Sequence, residues 1–143
     1  MDGRKVHKFV SIKSPETIKE LLVESGLSLK ELAETIIVPH QMNLRSIDFF
    51  IEQLEKKFNC RPKKVYIDGI INYGNNSTAS TLIGLDETYR GRELDLYDPV
   101  IVAAFGAGLS WGGFLEIWSR PKPEKPIEYN PQEQKQMVKE LNE

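Results

Sequence analysis

The sequence of 143 residues has little of what would place it in a specialised class of protein. It has one cysteine, Cys60, which excludes an internal disulfide and favours a cytoplasmic protein. It has no apolar run near the ~20 residues that cross a bilayer. It also lacks the basic and then apolar opening that a signal peptide would show. These absences predict a cytoplasmic protein with no membrane partner.

The sequence also lacks an excess of charge of either sign. Its 19 basic and 21 acidic residues give a formal net charge of −2. Such a balance excludes a strong overall attraction to nucleic acid, while a local basic patch stays open. The remaining features, 40% hydrophobic and 28% charged residues, are those of one ordinary folded domain. We therefore expect no nucleic-acid partner.

The order of the predicted elements indicates the α/β class. Residues 5–12 are expected to form a strand or an extended lead-in, and a helix is expected to begin at residues 14–16. The later elements are predicted as a short helix at 29–34, a strand at 35–38, a helix that Asn43 caps, a strand at 64–68, a helix that Ser77 or Asn76 caps and that runs to about Tyr89, and strands at 99–105 and 109–118. This order, β-α-β-α-β-α-β-β, predicts a mostly parallel sheet with helices packed on it. The last two strands should be antiparallel, since only a short glycine-rich turn joins them.

The composition changes after Trp118. Prolines at positions 121, 123, 126 and 131 lie among charged residues, which is typical of a solvated segment. A last amphipathic helix is expected between residues 130 and 141. We therefore divide the chain into a domain of residues 1–118 and a charged, proline-rich tail of residues 119–143.

Two polar side chains follow strands of the predicted sheet. His40 comes directly after the strand at 35–38, and Asn75 ends the segment after the strand at 64–68. Because ligands bind at the carboxyl ends of strands in open α/β sheets, these side chains should share one rim. A histidine N–H and an asparagine N–H that converge on one point would form an oxyanion hole. The glycine-rich turn at 106–108 should add a third strand end to that rim.

Taken singly, each of these signals has a simpler structural interpretation. A histidine beside proline at a strand end is more often structural, and an asparagine in the position of Asn75 is more often a turn residue. The pair Gly106 and Gly108 does not indicate a dinucleotide site, because no helix is predicted to follow it. Cys60 has no activating partner nearby in the sequence, so we interpret it as an incidental thiol.

Three sequence blocks in order are more specific than the single residues. They are VPHQMNLR at 38–45, YGNNSTAS at 73–80 and FGAGLSWG at 105–112. Together they strongly resemble the VPHQAN-LR, YGNTSAAS and FGAGLTWG blocks in the C-terminal half of β-ketoacyl-acyl-carrier-protein synthase III, of the thiolase-like superfamily. The resemblance extends from Asp2 to about Trp118.

The resemblance implies one thiolase-type half that serves fatty acid biosynthesis without a cofactor or a metal. Acyl-coenzyme A and malonyl-carrier protein would be the substrates. His40 and Asn75 would bind the thioester oxygen of the malonyl group and stabilise the enolate that forms as carbon dioxide leaves. Phe105 and the backbone near Ala107 match the pocket wall and the oxyanion site of the family.

The resemblance also implies partners. Acyl carrier protein is acidic, and Lys8 and Arg45 match basic residues at the pocket mouth of the family. The N-terminal half of the family provides the nucleophilic cysteine, and this sequence has no such motif. We therefore expect the lone chain to be inactive in condensation and to need a Cys-bearing N-terminal half or subunit. A half of this fold packs against its twin, so we also expect exposed apolar surface that favours homo-oligomers.

Among the positions that depart from the family blocks, Met42 replaces Ala, and Asn76 and Thr78 replace Thr and Ala. Two alternative functions stay open. One is a non-catalytic scaffold that keeps the fold and docks carrier protein or a condensing enzyme. The other is a decarboxylase-like or alkylquinolone-type condensing enzyme that uses the same His40 and Asn75 on another acyl thioester.

Overall fold

The computed structural model describes residues 3–106, 110–128 and 130. Its helices and strands are, in chain order, α1 (Gly3–Glu24), a 3-10 helix (Leu29–Glu34), β1 (Ile36–Pro39), α2 (Leu44–Phe58), β2 (Lys64–Val65), α3 (Asp68–Tyr73), α4 (Ala79–Arg90), β3 (Pro99–Gly106) and β4 (Ser110–Ile117). The strands form one sheet in the order β2-β1-β3-β4. β1 runs parallel to β2 and to β3, whereas β3 and β4 are antiparallel. The α/β class and the mostly parallel sheet with an antiparallel last pair are thus confirmed.

The first helix occupies a segment where the sequence predicted a strand. α1 is continuous through Pro15, so the predicted strand at residues 5–12 and the predicted helix start at 14–16 are both wrong. Proline lacks an N–H and normally breaks a helix interior. Here the buried Ser14 hydroxyl donates to the Val10 carbonyl at 2.6 Å, and α1 buries an apolar face in the core. The stabilisation gained by burying that face outweighs the cost of a proline inside the helix.

Alternate residues of β1 and β3 point to opposite faces of the sheet, and both faces are covered. On the face under α1 and α2, the buried apolar side chains are Val10, Ile18, Leu22, Leu32, Ile37, Phe50, Leu54, Ile101, Ala103 and Phe105. On the face under α4, they are Ile36, Val38, Tyr66, Leu94, Val100, Val102 and Trp118. Strands that are buried on both faces have near-continuous apolar sequences. That pattern is why the predicted strands at 35–38 and 99–105 are confirmed.

β2 is shorter than the sequence predicted. A strand was expected at 64–68, but only its first two residues pair with β1. The Tyr66 N–H adds one further bond, to the Ile37 carbonyl at 2.9 Å, and the chain then turns into α3. α3 begins at Asp68, an acidic residue of the kind that stabilises the positive end of a helix. The segment between the sheet and the second sequence block therefore contains a helix that the sequence analysis missed.

α4 lies close to the sheet because it carries Gly84 at the point of contact. A Cβ atom on this residue would lie 2.7 Å from Val38 Cγ1 and 2.8 Å from Tyr66 Cδ1, which is closer than real atoms approach. The predicted helix is confirmed, and it ends at Arg90, one residue beyond the prediction. The close contact holds α4 against β1 near the carboxyl end of that strand.

The end of the described chain lies against the loop before β3. Residues 119–128 form no regular helix or strand. The Ile127 N–H donates to the Arg90 carbonyl at 3.1 Å, and Lys122 pairs with Asp95 at 2.5 Å. The predicted helix at 130–141 lies outside the described residues. In the described part of the chain, no helix is both long enough and apolar enough to cross a membrane.

β4 lies at the edge of the sheet, with only β3 beside it among the described strands. Its side chains Trp111, Phe114 and Ile117 are 45%, 43% and 45% exposed. Exposed apolar side chains along a sheet edge favour contact with another chain or domain. Trp111 and Ile117 point to one side of the sheet and Phe114 to the other, because successive residues of a strand alternate.

Candidate active site

A cavity of 670 Å³ opens at the carboxyl ends of β1 and β3. Four parts of the chain line it: Phe9 and Val10 of α1, His40 and Met42 after β1, Asn75, Ser77 and Thr78 before α4, and Ala104–Gly106 with Ser110–Gly112 around the β3–β4 turn. All three sequence blocks therefore contribute to one place. The structure brings His40, Asn75 and Phe105, which the sequence analysis singled out, to the same cavity.

His40 is held at the rim by the sheet. Its backbone N–H donates to the Ala103 carbonyl at 2.7 Å, which adds one bond at the end of the β1–β3 ladder. The residue is only 9% exposed, and its Nδ1 atom is buried with no hydrogen-bond partner in the described part of the structure. Burial lowers the pKa of His40, so the ring is neutral at neutral pH. A neutral imidazole keeps one N–H that can donate to an oxygen in the cavity.

The buried, neutral state of His40 predicts how stability depends on pH. The pKa of His40 is lower in the folded chain than in the unfolded chain, where it lies near 6.5. The unfolded chain therefore binds a proton first as the pH falls. The contribution of His40 to stability is present above the unfolded pKa and is lost as the pH falls through the folded pKa.

We expect acidification from about pH 7.5 to about pH 5.5 to lower the free energy of unfolding less in His40→Gln than in the native chain. Urea denaturation at the two pH values measures this difference. The carboxylates are common to both proteins, so their titration cancels in the comparison. An equal pH dependence in the two proteins would contradict the burial of a neutral imidazole at position 40.

The side chain of Asn75 is oriented by the backbone that follows it. Its Oδ1 atom accepts a hydrogen bond from the Ser77 N–H at 2.9 Å. Because this bond uses the amide oxygen, it leaves the NH2 group of Asn75 to donate to a ligand. Ser77 has a φ of +51°, which residues other than glycine rarely adopt. Such strained residues cluster at functional sites, where the surrounding structure holds them in place.

α4 begins without the predicted cap. Its N-cap residue is Thr78, which makes no side-chain hydrogen bond with the helix, so the predicted caps Ser77 and Asn76 are wrong. The reason lies in the turn itself, where the Asn76 N–H donates to the Ser80 hydroxyl at 3.0 Å. Ser80 thus supports, from inside the helix, the turn that carries Asn75.

An aromatic wall of the cavity was missed by the sequence analysis. Phe9 and Trp111 meet edge to face, with ring centres 5.1 Å apart and an angle of 72° between the planes. The Nζ atom of Lys13 lies 5.0 Å from the centre of the Trp111 ring, within the range of a cation–π contact. Phe9 and Lys13 are four residues apart on α1 and so share one helix face. That spacing would have indicated the wall if residues 5–12 had been assigned to a helix.

The other predicted site residues are distributed around the cavity. Phe105 lies on β3 in the cavity wall and is 8% exposed. Met42, a departure from the family blocks, is half-buried, lines the cavity and packs against the core. Lys8 and Arg45 are exposed on α1 and in the first turn of α2, and neither lines the cavity. Ala107 lies outside the described residues.

Cys60 does not line the cavity. It is half-buried just beyond α2, with its Sγ atom 3.7 Å from the Arg61 carbonyl. α2 has 15 residues, so about 22 Å of helix separates Cys60 from the end of α2 next to the cavity. Among the residues that the structure describes, no cluster of three or more His, Cys, Asp or Glu side chains is placed to hold a metal ion.

Comparison with known proteins shows what this chain is similar to. The sequence model of the family described as 3-oxoacyl-[acyl-carrier-protein (ACP)] synthase III C terminal matches residues 22–118. A β-ketoacyl-[acyl-carrier-protein] synthase III from Caldanaerobacter subterraneus is 38% identical over 121 residues, which are 84% of this chain and 34% of that protein. The chain spans about a third of the length of the curated relatives it matches.

Solved structures have the same fold over the same part of their length. The β-ketoacyl-[acyl carrier protein] synthase III from Thermus thermophilus superposes with a TM-score of 0.70 at 30% identity, covering 83% of this chain and 35% of that one. The priming β-ketosynthase from the R1128 polyketide biosynthetic pathway superposes with a TM-score of 0.72 at 32% identity, covering 85% of this chain and 34% of that one. The similarity thus reaches beyond the three sequence blocks to most of the described fold.

Proposed function

This chain belongs to the family of 3-oxoacyl-[acyl-carrier-protein] synthase III C-terminal domains, and on that basis we propose that it is the C-terminal catalytic half of an acyltransferase of fatty acid biosynthesis. The observation that carries the proposal is that His40 and Asn75 line one cavity, with the amide oxygen of Asn75 already bound by Ser77. In the proposed mechanism, both side chains donate an N–H to one ligand oxygen. The substrates would be malonyl-carrier protein and acyl-coenzyme A, without a cofactor.

The first chemical step is the decarboxylation of the malonyl thioester. The thioester oxygen accepts hydrogen bonds from His40 and Asn75. The bond to the carboxylate breaks, carbon dioxide leaves, and the electron pair moves onto the thioester as an enolate whose charge lies largely on that oxygen. The lowered pKa of His40 supports this role, because a neutral ring donates a hydrogen bond without giving up its proton.

The second step is condensation with an acyl-cysteine. The enolate carbon attacks the acyl carbon, a C–C bond forms, and the C–S bond breaks to release the thiolate. Phe105 would form the wall around the acyl group, and the backbone near Ala107 would stabilise the developing oxyanion. The position of Cys60 outside the cavity supports a cysteine supplied by an N-terminal half or another subunit.

Partners follow from the same proposal. Acyl carrier protein would dock through Lys8 and Arg45, which are exposed and close in the chain to residues that line the cavity. The exposed apolar side chains of β4 suit a contact with the Cys-bearing half or with a second copy of the chain. Residues 1–118 would act as the thiolase-like domain and residues 119–143 as a charged tail, in the cytoplasm.

The test uses the first step, because that step needs no cysteine. We expect the purified chain to convert malonyl-coenzyme A to acetyl-coenzyme A and carbon dioxide, since the enolate takes a proton from water when no acyl-cysteine is present. Mass spectrometry follows the acetyl-coenzyme A, and Cys60→Ala should keep the full rate. No acetyl-coenzyme A above the level in buffer would sink the proposal. A rate that disappears in Cys60→Ala would instead make Cys60 part of the site.

A second candidate function is a non-catalytic module that docks carrier protein. It is favoured by the position of Cys60, which leaves the described cavity without a thiol. This alternative predicts no decarboxylation, weaker carrier-protein binding in Arg45→Glu and unchanged binding in His40→Ala. Surface plasmon resonance against immobilised acyl carrier protein, read together with the decarboxylation assay, separates the two functions.

A further inference from the structure

Gln41, the residue that follows His40, is fully buried, although glutamine is mostly an exposed residue. Its Nε2 atom donates to the Pro39 carbonyl at 2.8 Å and to the Tyr66 carbonyl at 3.1 Å. Its Oε1 atom accepts from the Ile70 N–H at 3.0 Å. A buried amide is costly unless it is hydrogen-bonded, and this one uses both donors and one acceptor site.

The three partners of Gln41 belong to the two segments that carry the proposed donors. Pro39 ends β1 directly before His40, and Tyr66 lies just beyond β2. Ile70 is the third residue of α3, where the N–H has no partner within the helix, and α3 leads to Asn75. One buried amide therefore joins the segment of His40 to the segment of Asn75.

The first turn of α3 packs closely against the side chains of Gln41 and Tyr66. A Cβ atom on Gly69 would lie 3.2 Å from Gln41 Cγ and 3.3 Å from Gln41 Oε1, and 2.9 Å from Tyr66 Cε1. Only glycine lets the first turn of α3 approach the amide this closely. The side chain of Gln41 thus has one orientation and little room to shift.

We infer that Gln41 is the positioning residue that sets the separation of His40 and Asn75. The inference rests on the proposed function, because that separation matters only if both side chains serve one oxygen. An oxyanion hole needs each donor about 2.7–3.1 Å from the oxygen. A misplacement of about 1 Å can lower a rate about 100-fold even when the altered residue is away from the chemistry.

The test compares Gln41→Met, which keeps the length of the side chain and removes its hydrogen bonds, with Gln53→Met, the same change at a half-buried site on α2. Hydrogen exchange by NMR should show amides at positions 70–77 exchanging about tenfold faster in Gln41→Met, with β3 amides as slow as in the native chain. The kcat for malonyl-coenzyme A decarboxylation should fall about 100-fold while KM changes little, because misplaced donors lose most of their interaction with the charge that develops in the transition state. Gln53→Met should match the native chain in both measurements.

Gly69→Ala disturbs the same contact from the side of α3, while residue 41 remains glutamine. Gly69→Ala should also speed amide exchange at positions 70–77 and lower kcat. If Gln41→Met loses protection in β3 as well, the result for Gly69→Ala decides whether the contact positions the two donors. A native rate in both variants, or native exchange at 70–77 in both, would overturn the positioning role alone. Absence of decarboxylation by the native chain would overturn the proposed function, and the positioning role with it.

Discussion

Replacing Asn75 with aspartate is expected to lower the rate of malonyl-coenzyme A decarboxylation about 10²- to 10³-fold, the usual cost of losing one donor of an oxyanion hole. Aspartate has nearly the same shape as asparagine. Its Oδ1 atom can still accept a hydrogen bond from the Ser77 N–H, as Asn75 Oδ1 does in the native chain at 2.9 Å. The NH2 group is replaced by an oxygen that bears negative charge. That oxygen would face the enolate oxygen where its charge develops, so the change removes a donor and adds repulsion.

Asn76 provides the matched control at the neighbouring position. Its side chain donates to the Tyr73 carbonyl at 3.1 Å, and it does not line the cavity. Asn76→Asp changes the net charge by the same amount and costs one exposed hydrogen bond, worth about 1 kcal/mol of stability. We expect its decarboxylation rate to stay within about threefold of the native rate, allowing for the added charge nearby. Similar rates in Asn75→Asp and Asn76→Asp would contradict the assignment of Asn75 as a donor.

The central strands and the location of the site could be predicted from the sequence for a physical reason. β1 and β3 are buried on both faces, so their sequences are apolar without interruption and stand out from the amphipathic helices. The rule that ligands bind at the carboxyl ends of parallel strands then links His40 to Asn75. The structure has both residues on one cavity, while their chemical roles stay predictions.

Three features that the sequence analysis missed depend on contacts between residues far apart in the chain. α1 continues through Pro15 because its apolar face packs against strands and a helix that come later. α3 replaces the end of the predicted strand at 64–68, and its first turn is held by Gln41, 29 residues away from Ile70. The contact of Phe9 with Trp111 joins the first helix to the last strand. Local patterns carry no information on such contacts, which tertiary packing alone decides.

Two adjacent glycines near the site also differ in a way that the local sequence does not reveal. They lead to the prediction with the largest expected effect on stability. Gly112 and Gly113 look alike in the sequence, although only Gly112 falls within the third family block. In the sheet they pair with Ala104 and Ala103 of β3, and successive residues of a strand point to opposite faces. A Cβ atom on Gly112 would meet nothing within 4 Å. A Cβ atom on Gly113 would collide with the Val102 carbonyl oxygen and lie 3.2 Å from Leu21 Cδ1.

Gly113→Ala is therefore expected to lower the free energy of unfolding by about 3 kcal/mol, at the upper end of the usual cost of overpacking. The colliding atom belongs to the backbone of β3, so relief requires β3 and β4 to shift relative to each other, and the Leu21 side chain of α1 must also give way. Gly112→Ala should change stability by less than about 0.5 kcal/mol, since its methyl group enters open space. Urea denaturation followed by tryptophan fluorescence measures both variants. Equal stability of the two variants would contradict the close packing of Gly113 against β3 and α1.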